Sequence, residues 1–575
     1  MRILNIDLSR FDYDIEERSD LDPWLGGVGL ATQLMKEKME NKDCDPLGEE
    51  NMFVLSVGPF NSAYPVGSKC VSMFKSPLTG NLGESHAGGR AGTSIKNAGF
   101  DAVTVRGKSK KPIYVVVDND EVQFRDASAI WGIGNSLIVG RILAEKEEKR
   151  GKRAVLRIGG AGEKMVRYAN VTTETYRHFG RLGLGAVFGS KNLKGMVMIG
   201  DGSRMVEDKK GYREIYDEIY EKAVESDAMD KYHLLGTAVN VASLNEIGAL
   251  PTENLQKTSS EHANELSGES LAESIGRRVA CNNCPIACIH IANLREPYDD
   301  KPYFYKTYMI SYDYELIYAL GSMLGLESKK DLLRLIHRVE IHGLDAMSTG
   351  VCLAWATEAL ENGIISVEQT LERLEFGNRG SYLKAIDHII DQQNDFYEHL
   401  AKGVRHASQV YGGEEYALAF GGNEMPGYHT GPAAVIGRTI AQRHSHLDNA
   451  GYSTDQKMDE KPGPEELVDM LMEEEQQRQM ISSLVLCYFA RGVYDEDTIL
   501  RAMKPLGIDM DGEDLRKLGE DIYFEKLKLK KELGFDMKDI RMPERIYQTK
   551  TSRGKLDREY VECALNYFKG LMEEC

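Results

Sequence analysis

The chain has 575 residues, of which 42% are apolar and 28% charged, with a formal net charge of −19. This composition suits a globular enzyme of roughly two to four domains, and the acidic balance excludes the basic footprint of non-specific nucleic-acid binding. No apolar run approaches the ~20 residues of a membrane span; the N-terminus lacks a signal-peptide core, so a cytoplasmic location is expected.

Residues 1–205 read as β-rich. Residues 1–7 alternate like a strand, and 113–117 and 122–124 flank the turn Asp118-Asn119-Asp120 as a hairpin. Residues 154–158 and 195–199 read as further strands. Three glycine-dense stretches punctuate them: 64–69 (followed by 75–80), 85–92, and 176–186 with 189–191. Glycine lets backbone approach a ligand closely, and Lys69, Arg90, Arg177 and Arg181 beside it supply charge for phosphate. Three such loops are suited to surround a large phosphorylated cofactor, although each alone reads equally as a tight turn. None is a G-x-G-x-x-G between strand and helix or a P-loop, so nicotinamide and ATP are not indicated.

From about 206 the texture turns helical. An amphipathic run covers 209–228, then come 271–278, the cysteine-rich turn and the aromatic stretch 303–318. Helical periodicity continues through 329–343, 352–362 and 382–411. A glycine-rich stretch at 420–428 marks a boundary near 413, and beyond it 465–486, 495–503 and 514–533 read as helices.

Cys281, Cys284 and Cys288 form a C-x2-C-x3-C run. Soft thiolates suit an Fe–S cluster or zinc. A four-cysteine cluster would take Cys487 as its remote ligand, and zinc would take His290. Three buried, unliganded cysteines are the third reading. Spacing alone leaves all three open. The chain has nine cysteines, too few for a disulfide scaffold; Cys44, Cys70, Cys352, Cys563 and Cys575 lack metal-like spacing and read as free thiols.

Taken together and in order, residues 75–80, 98–108, 183–195, the Cys-x2-Cys-Pro-Ile-x-Cys run at 281–288, residues 343–350 and Cys487 carry a family likeness. The chain resembles the tungsten-dependent aldehyde:ferredoxin oxidoreductases over nearly its whole length. The resemblance implies an α+β fold. An N-terminal double β-sheet domain (1–205) forms the base for a bis-pterin cofactor carrying tungsten or molybdenum. A mainly helical domain (206–412) carries Cys281, Cys284 and Cys288, and a C-terminal helical domain (413–575) carries Cys487. These four cysteines would hold a [4Fe–4S] cluster. The tungsten itself would be held by pterin sulfurs, with no protein ligand.

Carried over residue by residue, Arg177 matches a phosphate-binding arginine. His178 and His86 match the positions whose backbone carbonyls touch an Mg2+ bridging the two pterin phosphates. Gly88 and Gly89 sit where backbone contacts pterin. Lys69 stands where the family has an arginine, so charge is kept and the bidentate fork is lost. Arg90, Gly180 and Arg181 complete the phosphate-side set. Asp345 matches an aspartate that holds pterin ring nitrogens, and Leu486 with Cys487 matches the end of a second such segment. Two departures stand out. Ser482 replaces the carboxylate of that second segment and Val485 its glycine. Asp448 replaces a pterin-contacting lysine two residues after His446.

The implied reaction oxidises a small-molecule aldehyde to a carboxylic acid and passes electrons through the cluster to ferredoxin or a small Fe–S subunit. Glu315 and His446 match the catalytic pair. The plainer readings are that Glu315 is a helix N-terminal acid and that His446 is a satisfied core histidine. Two alternatives are carried: a reductase of carboxylic acids or aromatic thioesters in a larger complex, motivated by Ser482 and Asp448, and a cluster-only electron-transfer subunit. The expected partners are the electron acceptor and a homodimer or hetero-oligomer mate, with no nucleic acid and no membrane span.

Overall fold

A computed structural model describes residues 1–573 apart from 148–152, 175, 203–205, 207, 299–300, 491 and 538–539, and only the backbone of 301–302. Cys575 and the boundary placed at 205 fall outside the described residues.

Two six-stranded sheets make up the N-terminal region. In the first, Arg2–Asp7 pairs antiparallel with Asp12–Glu17 and parallel with Ala102–Arg106. Phe53–Ser56, Cys70–Lys75 and Leu82–Ala87 follow in order to the edge. The second contains the expected hairpin, Ile113–Asp118 with Glu121–Asp126, next to Leu193–Ile199, Arg153–Arg157, Val171–Thr172 and the edge strand His178–Phe179. The sheets share one core, in which Leu4, Phe53 and Phe74 of the first meet Val115, Leu156 and Met198 of the second. Alternation along each strand sends these apolar side chains to one face. The edge strands Leu82–Ala87 and His178–Phe179 lie against each other.

Helices cover this base. Tyr314–Leu320, Lys329–His342 and Ala346–Glu361 form one apolar core around Trp355, which is fully buried. Pro464–Ser483, Gly512–Glu532 and Arg558–Glu573 pack against one another in the C-terminal region. The segment after Ser482 lies directly on the β base. Gly58 is required there, because a Cβ would stand 2.5 Å from the Ser483 carbonyl oxygen. Among the described residues no helix is long and apolar enough to cross a membrane.

Three helical expectations are corrected. The 271–278 stretch gives only the short helix Gly268–Ala272, and Ile275–Val279 is a strand. The aromatic stretch from 303 is the strand Lys301–Tyr312, paired with Ile289–Tyr298 in a three-stranded sheet. Its β-branched and aromatic residues suit a pleated surface, but what makes this decisive is a separate partner strand. The 382–411 run is three helices, Arg379–Asp391, Asp395–Leu400 and Val404–Tyr411. Gln392 in the left-handed region (φ 48°) ends the first, and Asn394 caps the second through Tyr397 N.

Candidate active site

The cysteine turn joins two strands of the third sheet and is clamped by the glycine-dense loops. Asn282 N donates to the Gly89 carbonyl at 3.0 Å, and Val66 N donates to the Asn283 carbonyl at 3.0 Å. Lys69 N donates to the Val485 carbonyl at 3.2 Å, two residues before Cys487. Gly88 admits no side chain, since a Cβ would lie 2.8 Å from Cys281 Sγ. Arg177 Nη2 lies 3.8 Å from Cys288 Sγ. Burial disfavours the Arg177 charge, but Cys288, Cys281, Asp313 and Cys487 outweigh it and raise the guanidinium further. Burial pushes the Cys284 thiol up to about 12, and Cys487, Cys281 and Cys288 add to that. The remote Cys487 therefore lies within electrostatic reach of Cys284 and Arg177.

All four thiols are free. Among the described residues no three His, Cys, Asp or Glu side chains close on a point that could hold one ion. His290, the zinc candidate, turns its Nε2 to the His233 carbonyl at 2.9 Å, and its ring abuts Gly236.

A cavity of about 370 Å³ lies between the β base and the helices. Lys69, His86, Gly88, Arg177, His178, Gly180 and Arg181 line it from the base, and Glu315, Asp345, His446 and Leu486 line it from the helical side. Gly89 sits behind Gly88 with its carbonyl on Asn282. Arg90 is exposed and lies outside the cavity lining. Ser482 stands one layer back, its Oγ 2.5 Å from the hydroxyl of Tyr488, which does line the cavity.

His86 and His178 sit on the two facing edge strands. His86 Nε2 is 2.7 Å from Glu84 Oε1, and His178 Nε2 is 3.0 Å from Glu340 Oε1. Their rings are tied sideways by these carboxylates. Edge strands present carbonyls that the ladder does not use.

Glu315 sits in the first turn of Tyr314–Leu320, where Asp313 is the N-cap. Side-chain exposure is 15% for Glu315 and 10% for His446, and His446 Nε2 stands 3.3 Å from Glu315 Oε1. Gly427 N donates to Glu315 Oε2 at 3.1 Å. Burial pushes the Glu315 carboxyl up to about 8, with the Asp313 charge adding to it. Burial, then Arg181, Arg478 and Arg443, hold His446 down to about 3. Between those values the contact is a neutral carboxyl beside a neutral imidazole, and not an ion pair. Glu315 Oε1 and His446 Nδ1 have no hydrogen-bond partner within the protein, as polar atoms awaiting a ligand would. Tyr428 stacks on Tyr452 at 4.1 Å and lies 5.0 Å from His446, walling the pair.

Asp345 is the N-cap of Ala346–Glu361. Its oxygens accept from Met347 N at 3.1 Å, Ser348 N at 3.3 Å and Arg181 Nε at 3.1 Å. Arg181 Nη2 also donates to the Glu424 carbonyl at 2.9 Å. Ser348 Oγ lies 2.6 Å from both the Asp345 and the Glu424 carboxylates.

The opposite wall is built otherwise. Asp448 turns away from the cavity: it accepts from Arg443 N at 3.0 Å, Arg443 Nε at 2.5 Å and Ser445 N at 3.2 Å, capping His446–Asn449. Arg443 lines the cavity and reaches Glu84 at 3.4 Å, and Lys526 Nζ lies 2.6 Å from the other Glu84 oxygen. Burial alone would raise the Glu84 carboxyl, but Lys526, Arg443 and His86 together hold it well below the usual range. The cation on this wall is therefore Arg443, five residues before the position where the sequence offers an acid. Glu84, Glu340, Glu424, Arg443 and Tyr488 escaped the sequence reading. Glu84 lies two residues before His86 on the strand Leu82–Ala87, and so on the same face.

Residues 3–200 match the family described as aldehyde ferredoxin oxidoreductase, N-terminal domain, and residues 214–574 match its domains 2 and 3. The tungsten-containing aldehyde ferredoxin oxidoreductase of Thermococcus kodakarensis is 32% identical over 96% of this chain and 92% of its own length. The protein of that name from Pyrococcus furiosus is 32% identical over the same shares. The WOR-like subunit of an aliphatic sulfonate oxidoreductase, also from Pyrococcus furiosus, is 31% identical over 71% of this chain and 66% of its own. Among solved structures, the active site complex BamBC of benzoyl coenzyme A reductase shares the fold, with a TM-score of 0.82 and 20% identity over 99% of this chain and 94% of that one. The α+β architecture read from the sequence is thus borne out, and the chain belongs to the aldehyde ferredoxin oxidoreductase family of tungsten oxidoreductases.

Proposed function

We propose that this protein oxidises an aldehyde to a carboxylic acid at a bis-pterin tungsten centre in the cavity. Electrons leave through a [4Fe–4S] cluster to ferredoxin or a small Fe–S subunit, in a cytoplasmic setting. The observation that carries the reading is one juxtaposition: the Glu315–His446 pair and the phosphate-side cations line one cavity, and Arg177 reaches from it to the Cys288 sulfur. The residues suit these groups. Four free thiols offer the soft sulfur that a multi-iron core takes. Arg177 and Lys69 offer charge to phosphates, and the carbonyls of His86 and His178 offer oxygen to Mg2+. Gly88 leaves space that a Cβ would fill.

Aldehyde plus water gives carboxylate, three protons and two electrons. When bound, the tungsten centre supplies the two-electron sink, and the cluster relays those electrons singly. Glu315, once ionised, accepts a proton from the attacking water. His446, neutral throughout, orients the carbonyl or carries protons onward. Asp345, its carboxylate held by Arg181, would hold the pterin ring nitrogens, and the tyrosine wall limits bulk water.

Anaerobically purified protein should contain about four iron atoms per chain for one cluster, together with tungsten or molybdenum and phosphorus, and should reduce viologen with aldehydes. Iron without either heavy metal would favour the cluster-only reading. The altered Ser482 and Asp448 wall favours testing acids and aromatic thioesters beside aldehydes, and inertness to every aldehyde would overturn the reading. Cys284→Ser should abolish the cluster; a brown, active variant would remove that cysteine from the set.

A further inference from the structure

The three-stranded sheet that carries the cysteine turn packs fully through one face. On that inner face Ala292, Leu294 and Ile310 are buried, and Tyr308 lies 4.3 Å from His337 of Lys329–His342. The other face is buried near the turn, at Ile291 and Ser311, and uncovered beyond them. Tyr305 is 51% and Met309 44% exposed, and Arg277, Asn293 and Arg295 are exposed beside them. Register gathers these side chains: Asn293 is opposite Met309, Arg295 opposite Thr307 and Pro297 opposite Tyr305. Arg295 lies over the Tyr305 ring at 4.3 Å. Among the described residues of that face none is acidic, on a chain whose net charge is −19.

We propose that this face docks a small acidic Fe–S electron carrier of the ferredoxin type. This deepens the proposed function and rests on it for the path of the electrons. Position argues for it. The first two strands are joined by the cysteine turn, and Arg277 lies over the Tyr176 ring at 5.9 Å, next to Arg177, whose Nη2 is 3.8 Å from Cys288 Sγ. The uncovered part begins at Asn293, five residues past Cys288 on the strand that leaves the turn. Charge argues for it, because a basic face on an acidic protein selects an acidic partner and steers its approach. Composition agrees, since arginine, tyrosine and methionine are enriched where proteins meet. A second copy of this chain fits less well: a two-fold contact sets the face against itself and brings Arg277 and Arg295 against their own copies.

The test uses anaerobic holoenzyme and the variant Arg277→Glu/Arg295→Glu/Tyr305→Ala. Aldehyde oxidation is followed with methyl viologen and, separately, with a purified acidic ferredoxin carrying [4Fe–4S] clusters. The variant should match the wild type with viologen, while its kcat/KM for ferredoxin falls about tenfold or more and loses most of its salt dependence. Unchanged ferredoxin kinetics would overturn the proposal. So would a loss of dimer on sizing with ferredoxin kinetics intact, which would give the face to a second copy. If neither protein reduces viologen with any aldehyde, the proposed function fails instead. Calorimetric titration of ferredoxin into both proteins then decides docking alone: equal affinity overturns it, and a tenfold weaker variant supports it.

Discussion

The two walls facing each other across the cavity are built on different principles. On one side the carboxylate of Asp345, which shares Ser348 with Glu424, is fixed by the start of its own helix and by Arg181. On the other, Ser482 offers only a hydroxyl to Tyr488, and the charge is carried by a buried set drawn from distant segments: Glu84, Arg443, Asp448 and Lys526. A cap is a local device, completed within three residues. A buried ion network is a tertiary device, and its members depend on one another for their charge state. The first wall should therefore yield to substitution locally, and the second should fail as a unit.

The largest effect is expected at Arg443. Arg443→Leu leaves Asp448 without its main partner and Glu84 with one cation fewer, in a site where all are buried. Breaking a buried pair costs about 3–5 kcal/mol, so thermal unfolding should shift strongly and cofactor content should drop. A stable variant with full cofactor would erase the contrast between the walls.

Glu315→Gln should lower kcat about 10²–10⁴-fold, the range for a lost proton-transfer group, with little change in the fold. The pH profile sharpens this. Glu315 is raised from 4.5 to about 8, so the base-dependent rate should climb with pH through about 8, and that limb should vanish in Glu315→Gln. The same shift acts on stability with the opposite sense. The folded state holds this proton more tightly than the unfolded chain, so stability is unaffected below 4.5 and declines as pH rises toward 8. Denaturant midpoints across that window should flatten in the variant.

Asp345→Ala removes a cap, worth about 1 kcal/mol, and a partner of Arg181; a moderate loss of stability and of cofactor should follow, read by melting and metal content. Ser482→Ala should be the mildest, losing one hydrogen bond of about 1 kcal/mol or less. A larger loss for Ser482→Ala than for Asp345→Ala would reverse the ranking of the walls.

The same contrast explains what the sequence made legible. The cap Asp345, the cysteine turn and the glycine loops depend on neighbours in the chain, and they stand out as short patterns. The hairpin at 113–126 was readable for the same reason. Arg443 was not, because its meaning comes from Glu84, far away in the chain. Asp448 looked like a missing cation until its side chain was seen to turn inward to Arg443. The strand Lys301–Tyr312 was mistaken for helix because its aromatic residues show no clean alternation until its partner strand is in place. Glu315 was readable in both ways at once: it is a helix N-terminal acid, and it faces the cavity.

The hydrogen bond from Lys69 N to the Val485 carbonyl, with Gly58 pressed against the Ser483 carbonyl, leaves the C-terminal segment seated on the base by direct main-chain contact. Under the proposed function, a bulky prosthetic group would then have to be seated before this seam closes over the cavity.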